Sequence, residues 1–136
     1  MQLDSWLRDI SMSDEKTTIL TDKDVSTLLE IANLACHKGF PNAARNIVEG
    51  ILAERKGFVP ATITLAYSYV VVDEFDKALG ILDEILDRNP DDGDARVMQV
   101  LAFMLSGRSD EAKQSLGRFN GDSPQKQLAF ELIQNL

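Results

Sequence analysis

The feature that most constrains the fold of this chain is a step of 34 residues that persists over most of its length. Small, large apolar and helix-breaking residues all keep this step. They are Ala44, Ala78 and Ala112; Val48, Leu82 and Leu116; and Pro90 and Pro124. A shared step for three kinds of residue indicates one structural unit repeated along the chain. We therefore predict three successive units, at 25–58, 59–92 and 93–126.

Each unit is predicted to be two helices joined by a short turn. In the second unit, Pro60 suits the first turn of a helix, where its missing N–H group costs no hydrogen bond. From Phe75 onward, apolar side chains recur at i, i+3, i+4 and i+7, the spacing of one buried helix face. In the other units, Gly39 and Gly107 mark turns, Pro41 begins a helix and Ser109 is expected to be a helix N-cap.

Composition and charge exclude several classes of partner. Of the 136 residues, 44% are hydrophobic and 26% are charged, as in an ordinary globular domain. The net charge of −8 argues against nucleic acid and anionic membrane surfaces. The N-terminus lacks a basic run before an apolar core, and the uncharged run 60–72 is shorter than the ~20 residues that span a bilayer. With a single cysteine, Cys36, we predict a cytoplasmic protein without membrane insertion.

A helical hairpin with this period and this Ala, Leu and Pro register resembles the tetratricopeptide repeat (TPR) family. The second unit matches best, at Leu65, Ala66, Tyr69, Phe75, Ala78, Leu82, Ile85 and Pro90. The resemblance covers 25–126 and implies an all-α, right-handed solenoid of three hairpins in a single domain, 1–136. The chain departs from the family pattern at the signature Trp position (Leu28, Thr62 and Arg96) and at Lys56, which replaces a closing Pro. Arg96, Gln99 and Val100 are unusual for a first helix and leave its rotation in the third unit open.

Both ends of the chain are expected to cover the repeats. Residues 127–136 predict a C-terminal capping helix, with Leu128, Leu132, Ile133 and Leu136 on one side. Residues 1–24 predict an N-terminal arm and linker, whose amphipathic segment carries Leu3, Trp6, Leu7 and Ile10. This arm either caps the first repeat or acts as a mobile assembly arm that occupies a groove.

The TPR resemblance implies a concave groove lined by the first helix of each unit. The expected lining is Leu29, Asn33, Cys36 and His37 from the first unit, Ile63, Thr64, Tyr67, Val70 and Val71 from the second, and Val97, Met98, Leu101, Met104 and Leu105 from the third. Family members that bind the C-terminal carboxylate of a heat-shock-protein partner use lysines and asparagines there. Here Leu29 stands at one expected lysine position and only Asn33 matches. The groove therefore suits an apolar helix or extended segment.

No motif in the sequence predicts catalysis, a metal site or a cofactor. His37 is the only histidine, and neighbouring Cys36 points in a different direction on a helix. The stretch 87–94 is similar to a calcium-binding loop, but Asp92 holds the required Gly position and Met98 the required Glu position. We predict that the chain is not an enzyme.

The leading functional hypothesis is a binding protein that shields an apolar segment of another protein or peptide. In size, acidity and groove character the chain resembles the small TPR chaperones of bacterial type III secretion, which bind needle or translocator subunits. That resemblance implies a cytoplasmic chaperone with a secretion-system subunit as partner. The alternative is a self-associating scaffold, a homo-oligomer whose groove is filled by its own arm or by a second copy.

Overall fold

The computed structural model describes residues 19–135, and over this range the chain is all-α, as predicted. The seven helices are α1 (Asp22–His37), α2 (Pro41–Glu54), α3 (Val59–Val70), α4 (Phe75–Arg88), α5 (Gly93–Leu105), α6 (Ser109–Leu116) and α7 (Pro124–Asn135). The arm residues Leu3, Trp6, Leu7 and Ile10 lie outside the described residues. The unit boundaries 25–58, 59–92 and 93–126 stay predictions.

The helix starts follow from local sequence. α1 begins with a capping box, in which the backbone N–H of Asp24 donates to Thr21 Oγ1 (3.1 Å) and the N–H of Thr21 donates to Asp24 Oδ2 (3.0 Å). Pro41 and Pro60 lie in the first turns of α2 and α3, as predicted. The prediction for Ser109 is wrong: it is the first residue of α6, and Arg108 holds the cap position without a side-chain cap bond.

The turn inside each hairpin uses one backbone conformation at one register position. Gly39, Asp73 and Gly107 are successive members of the 34-residue step, and their φ angles are 88°, 63° and 79°. Glycine adopts this left-handed region without steric cost, whereas Asp is among the few other residues that tolerate it. The three hairpins therefore turn in the same way although the sequence at the turn differs.

The hairpins pack in series. Within the pairs α1–α2, α3–α4 and α5–α6 the two helices contact each other, and α2–α3 and α4–α5 contacts join successive hairpins. The first helices are also neighbours, since α1 contacts α3 and α3 contacts α5. Five alanines on the repeat register, Ala32, Ala44, Ala66, Ala78 and Ala112, are all 0% exposed. Such small side chains let the helix axes approach.

The first helix of the third hairpin is not rotated. Val100 is 0% exposed, like Ala66 at the same register position of α3, so α5 and α3 present matching faces to the core. The polar side chains of α5 are buried through hydrogen bonds instead. Arg96 Nη2 donates to the carbonyl oxygen of Pro90 (2.8 Å), and Gln99 Nε2 donates to Asp83 Oδ1 (3.1 Å). Because these buried polar groups have hydrogen-bond partners, α5 does not have to rotate about its axis to expose them to water.

The C-terminal helix covers the last hairpin, as predicted, although α7 begins at Pro124 rather than at 127. It packs against α5 and α6. Ala129 (0% exposed) forms a small core cluster with Val100 and Ala112, and Ile133 packs against that cluster. α7 therefore covers the last hairpin mainly through its contact with α5.

Candidate partner-binding groove

An open cavity of ≈ 320 Å³ lies on the side of the molecule formed by the first helices. Four helices contribute to it: α1, α3, α5 and α7. Its lining residues are Leu29, Asn33, Pro60, Ile63, Thr64, Asp94, Val97, Met98, Gln125 and Leu128. We call this cavity the groove.

The structure brings part of the predicted set together. Leu29, Asn33, Ile63, Val97 and Met98 line the groove, as does Thr64. The other residues predicted for it do not line this cavity. They are Cys36, His37, Tyr67, Val70, Val71, Leu101, Met104 and Leu105. The groove therefore takes in the middle of α1 and the first halves of α3, α5 and α7.

Val70 and Cys36 are corrections to the predicted lining. They hold the same register position in α3 and α1, and they are 2% and 1% exposed. Each packs in the core cluster of its own hairpin, because the end of a first helix faces its partner helix near the turn. Burial raises the pKa of the Cys36 thiol, with the charge of Arg45 opposing that shift. A buried, protonated thiol does not present a nucleophile to the groove.

Tyr67 packs between the first two hairpins and does not line the groove. Its half-buried side chain contacts the core clusters of both the first and the second hairpin. Burial raises the pKa of its phenol, and Cys36 adds to that shift. A substitution of Tyr67 would therefore disturb the contact between the hairpins as well as any bound partner.

The contribution of α7 was missed from the sequence. Gln125 and Leu128 complete the groove. Gln125 packs against Gly93, where a Cβ would lie 3.0 Å from Gln125 Cγ and would make that side chain shift. A signal was present, since Ala61, Ala95 and Ala129 keep the step of 34 residues and are all 0% exposed. Continuing the register beyond 126 would have placed Leu128 with Pro60 and Asp94, which also line the groove.

The chemistry of the groove is apolar with a weakly acidic edge. Leu29, Ile63, Val97, Met98 and Leu128 supply its apolar surface, and Thr64 Oγ1 donates a 3.0 Å hydrogen bond to Asn33 Oδ1 that joins α3 to α1. Of the ten residues that line it, only Asp94 carries a charge. With no lysine or arginine among those ten, the groove has no cation for a carboxylate or phosphate.

A second cavity of ≈ 420 Å³ lies among α4, α5 and α6, and its polar groups are already engaged with one another. Arg108 donates from Nε and Nη2 to the two carboxylate oxygens of Glu111, both at 2.7 Å. Gln99 bonds Asp83, and Ser115 Oγ donates to Gln99 Oε1 at 2.6 Å. These hydrogen bonds join the three helices to one another. Because they already occupy the polar groups of the second cavity, the groove is the stronger candidate for binding a partner.

Two further findings concern the described part of the chain. Between residues 19 and 135, no three His, Cys, Asp or Glu side chains gather in a group that could hold a metal ion. In the same range, each helix is too short or too polar to cross a bilayer.

Comparison with known proteins agrees with the helical architecture. A family model described as tetratricopeptide repeat matches residues 37–102, slightly under half of the chain, from the end of α1 into α5. No curated protein and no solved structure matches at a significant level. Residues 37–102 are therefore similar to the tetratricopeptide repeat family, and the stacked helical hairpins agree with that similarity.

Proposed function

We propose that this chain is a protein-interaction module that holds an apolar segment of a partner protein in the groove. The observation that carries the proposal is the convergence of apolar side chains from four helices on one open cavity that no lysine or arginine lines. Tetratricopeptide repeats generally mediate protein–protein interaction, and helical solenoids use their extended concave surfaces for it.

The groove chemistry selects among possible partner segments. An acidic C-terminus would meet Asp94 and find no cation among the lining residues. An apolar segment would bury the side chains of Met98 and Leu128, and the flexible Met98 adapts to irregular shapes. A segment with a neutral or basic end near Asp94 fits best. The chemistry of the groove argues for binding rather than catalysis.

Within this function we propose a narrower role, that of a cytoplasmic chaperone for a structural subunit of a bacterial type III secretion system. The support is the small size of the chain, its net charge of −8 and the apolar groove. A subunit that polymerises outside the cell must keep its apolar assembly segment covered before export. An apolar groove on an acidic carrier protein can cover the assembly segment of the subunit, so that further subunits cannot add to it.

The test is substitution of Leu128, which lines the groove and is 49% exposed, so a change there spares the core. We would co-express the full chain with a needle or translocator subunit and measure Kd by titration calorimetry. Leu128→Glu and Met98→Glu should each weaken binding by at least about tenfold, since an unpaired charge would be buried against an apolar segment.

Val72→Glu is the matched control, because Val72 is 43% exposed but does not line the groove. It should bind like the native protein. Equal affinity for all three variants would refute the groove as the binding site. A complete lack of binding to needle and translocator subunits would refute the chaperone role.

A second candidate function is self-association as a scaffold. The observation that favours it is the number of large apolar side chains left exposed, among them Ile31, Phe40 and Leu105. This candidate expects a mass that rises with concentration in analytical ultracentrifugation. A constant monomer mass over a hundredfold concentration range would reject it.

A further inference from the structure

The outer side of the first hairpin carries three exposed apolar side chains. Ile31, Leu34 and Phe40 are 49%, 56% and 63% exposed, and we call this surface the open face. Ile31 and Leu34 are three residues apart on α1, on one side of the helix. Phe40 follows in the turn before α2.

In the later hairpins, the same register positions contact the preceding hairpin. Ser68 corresponds to Leu34, is 0% exposed and is bonded by Arg45 of α2. Glu74 and Arg108 hold the register position of Phe40. Each forms an ion pair with the preceding hairpin: Glu74 with Arg45 (4.0 Å) and Arg108 with Asp76 (3.9 Å). The open face is therefore where the second helix of a preceding hairpin would pack, and no earlier hairpin exists among residues 19–135.

The chain enters α1 from a fixed point. The backbone N–H groups of Ile19 and Leu20 donate to the two carboxylate oxygens of Glu54 at 3.1 and 3.0 Å. Arg55 pairs with Asp22 at 2.7 Å. These contacts anchor the start of α1 to the end of α2, so Ile19 lies at the base of the first hairpin.

We infer that segment 1–10 packs Leu3, Trp6, Leu7 and Ile10 on the open face of the same molecule. It takes the place of a preceding second helix. The spacing of these four residues is i, i+3, i+4 and i+7, which suits one apolar helix face. This apolar stripe matches the apolar side chains of the open face. The later hairpins differ, because at the same positions they present the polar residues Ser68, Glu74 and Arg108 to the preceding hairpin.

The length of the linker permits this contact. Its eight residues, 11–18, reach roughly 26–29 Å when extended. Ile31 lies nine residues beyond Asp22, about 14 Å along α1, and Leu34 about 18 Å. A linker of this length would hold the segment at a roughly millimolar effective concentration, which favours contact within one molecule over contact with a second copy.

Trp6 is the only tryptophan of the chain, so its fluorescence reports on this contact directly. In the full-length protein we expect emission shifted to shorter wavelength and low accessibility to iodide, both unchanged on dilution. Leu34→Glu and Phe40→Glu should shift the emission to longer wavelength and raise the iodide quenching constant several-fold. Phe130→Glu is the matched control, since Phe130 is a similarly exposed aromatic residue (46%) on α7.

Sedimentation velocity and circular dichroism complete the test. A monomer with native helicity, a protected Trp6 and release by Leu34→Glu but not by Phe130→Glu would support the proposal. Three results would overturn it: a Trp6 that iodide reaches in the native protein, protection that disappears on dilution as a dimer separates, or release by the groove variant Leu128→Glu. The last result would place the segment in the groove instead.

Discussion

Arg45 on α2 reaches Ser68 on α3, where its Nε donates a 2.9 Å hydrogen bond to Ser68 Oγ and its Nη2 donates a 3.1 Å bond to the Ser68 carbonyl oxygen. The guanidinium carbon also lies 4.1 Å from the centroid of the Tyr69 ring. Since Ser68 is 0% exposed, water cannot replace these contacts. One side chain therefore joins the first hairpin to the second.

We predict that Arg45→Met lowers the free energy of unfolding by about 1.5–3 kcal/mol, the range for hydrogen bonds to a charged group. Ser68→Ala should cost less, because the bond to the carbonyl oxygen remains. Urea unfolding of the two single variants and the double variant checks this as a double-mutant cycle. Strictly additive effects would show that the two side chains do not interact.

Gln99 connects the second and third hairpins, since it bonds Asp83 of α4 and accepts from Ser115 of α6. Gln99→Leu introduces the residue found at the same register position in α3, Leu65. It leaves the hydroxyl of Ser115, which is 2% exposed, without this acceptor, so we predict a loss of about 1–3 kcal/mol.

Adding Ser115→Ala to Gln99→Leu should recover part of that loss, because both sides of the Ser115–Gln99 bond are then removed while Arg96 and Asp83 still lose their bonds to Gln99. Thermal unfolding of the single and double variants measures the recovery, with Gln114→Leu on the exposed side of α6 as control. A double variant less stable than Gln99→Leu would contradict the account of this network.

The repeat register predicted the helices well because it is a property of the backbone. The step of 34 residues gives the positions of the recurring alanines and of the turns. In the structure these alanines are buried, and the turns share one backbone conformation even where Asp73 replaces glycine. Side-chain partners are less predictable. Gln99 and Arg96 suggested a rotated helix because their partners, Asp83 and the Pro90 carbonyl, come from other parts of the chain.

The groove shows the same division. Leu29, Ile63 and Met98 line the groove, since helix periodicity places them on the outer side of a first helix. Val70 was misplaced because periodicity alone does not say where along a helix the open surface ends. Val70 lies in the core because the end of α3 faces α4 near the turn, a contact that the repeat register alone does not reveal.

The capping box of α1 predicts a pH dependence of stability. The backbone N–H of Thr21, and then its hydroxyl, lower the pKa of Asp24 below its ordinary value of 3.8. A carboxyl whose pKa is lower in the folded state stabilises the protein above the unfolded value, and this stabilisation disappears as pH falls through the folded value.

Asp24→Ala should therefore destabilise the protein at neutral pH, and its difference from the native protein should shrink as the pH falls below 3.8. Urea midpoints across the acidic range measure this difference. Glu30→Ala is the control, since it removes an exposed carboxylate from the same helix without touching the cap. A difference that stays constant into acid would contradict the proposed role of the cap.

The turn at Asp73 predicts a specific order of stabilities. Asp73 has a φ of 63°, while Gly39 and Gly107 adopt the same region at the equivalent turns. Glycine removes a steric cost of roughly 1–2 kcal/mol but loses about 0.5–1 kcal/mol through its more flexible unfolded chain. Asp73→Gly should therefore be neutral or stabilising by up to about 1 kcal/mol. Asp73→Val should destabilise by about 2 kcal/mol, since a β-branched residue tolerates this region least.

Urea unfolding of both variants measures the order. Glu84→Val, at an exposed position with ordinary helical backbone in α4, is the matched control and should cost no more than about 0.7 kcal/mol. If Asp73→Val proved as stable as Asp73→Gly, the left-handed turn would not be required at this position. The hairpin would then have to be closed by the packing of α3 on α4 rather than by the conformation of its turn.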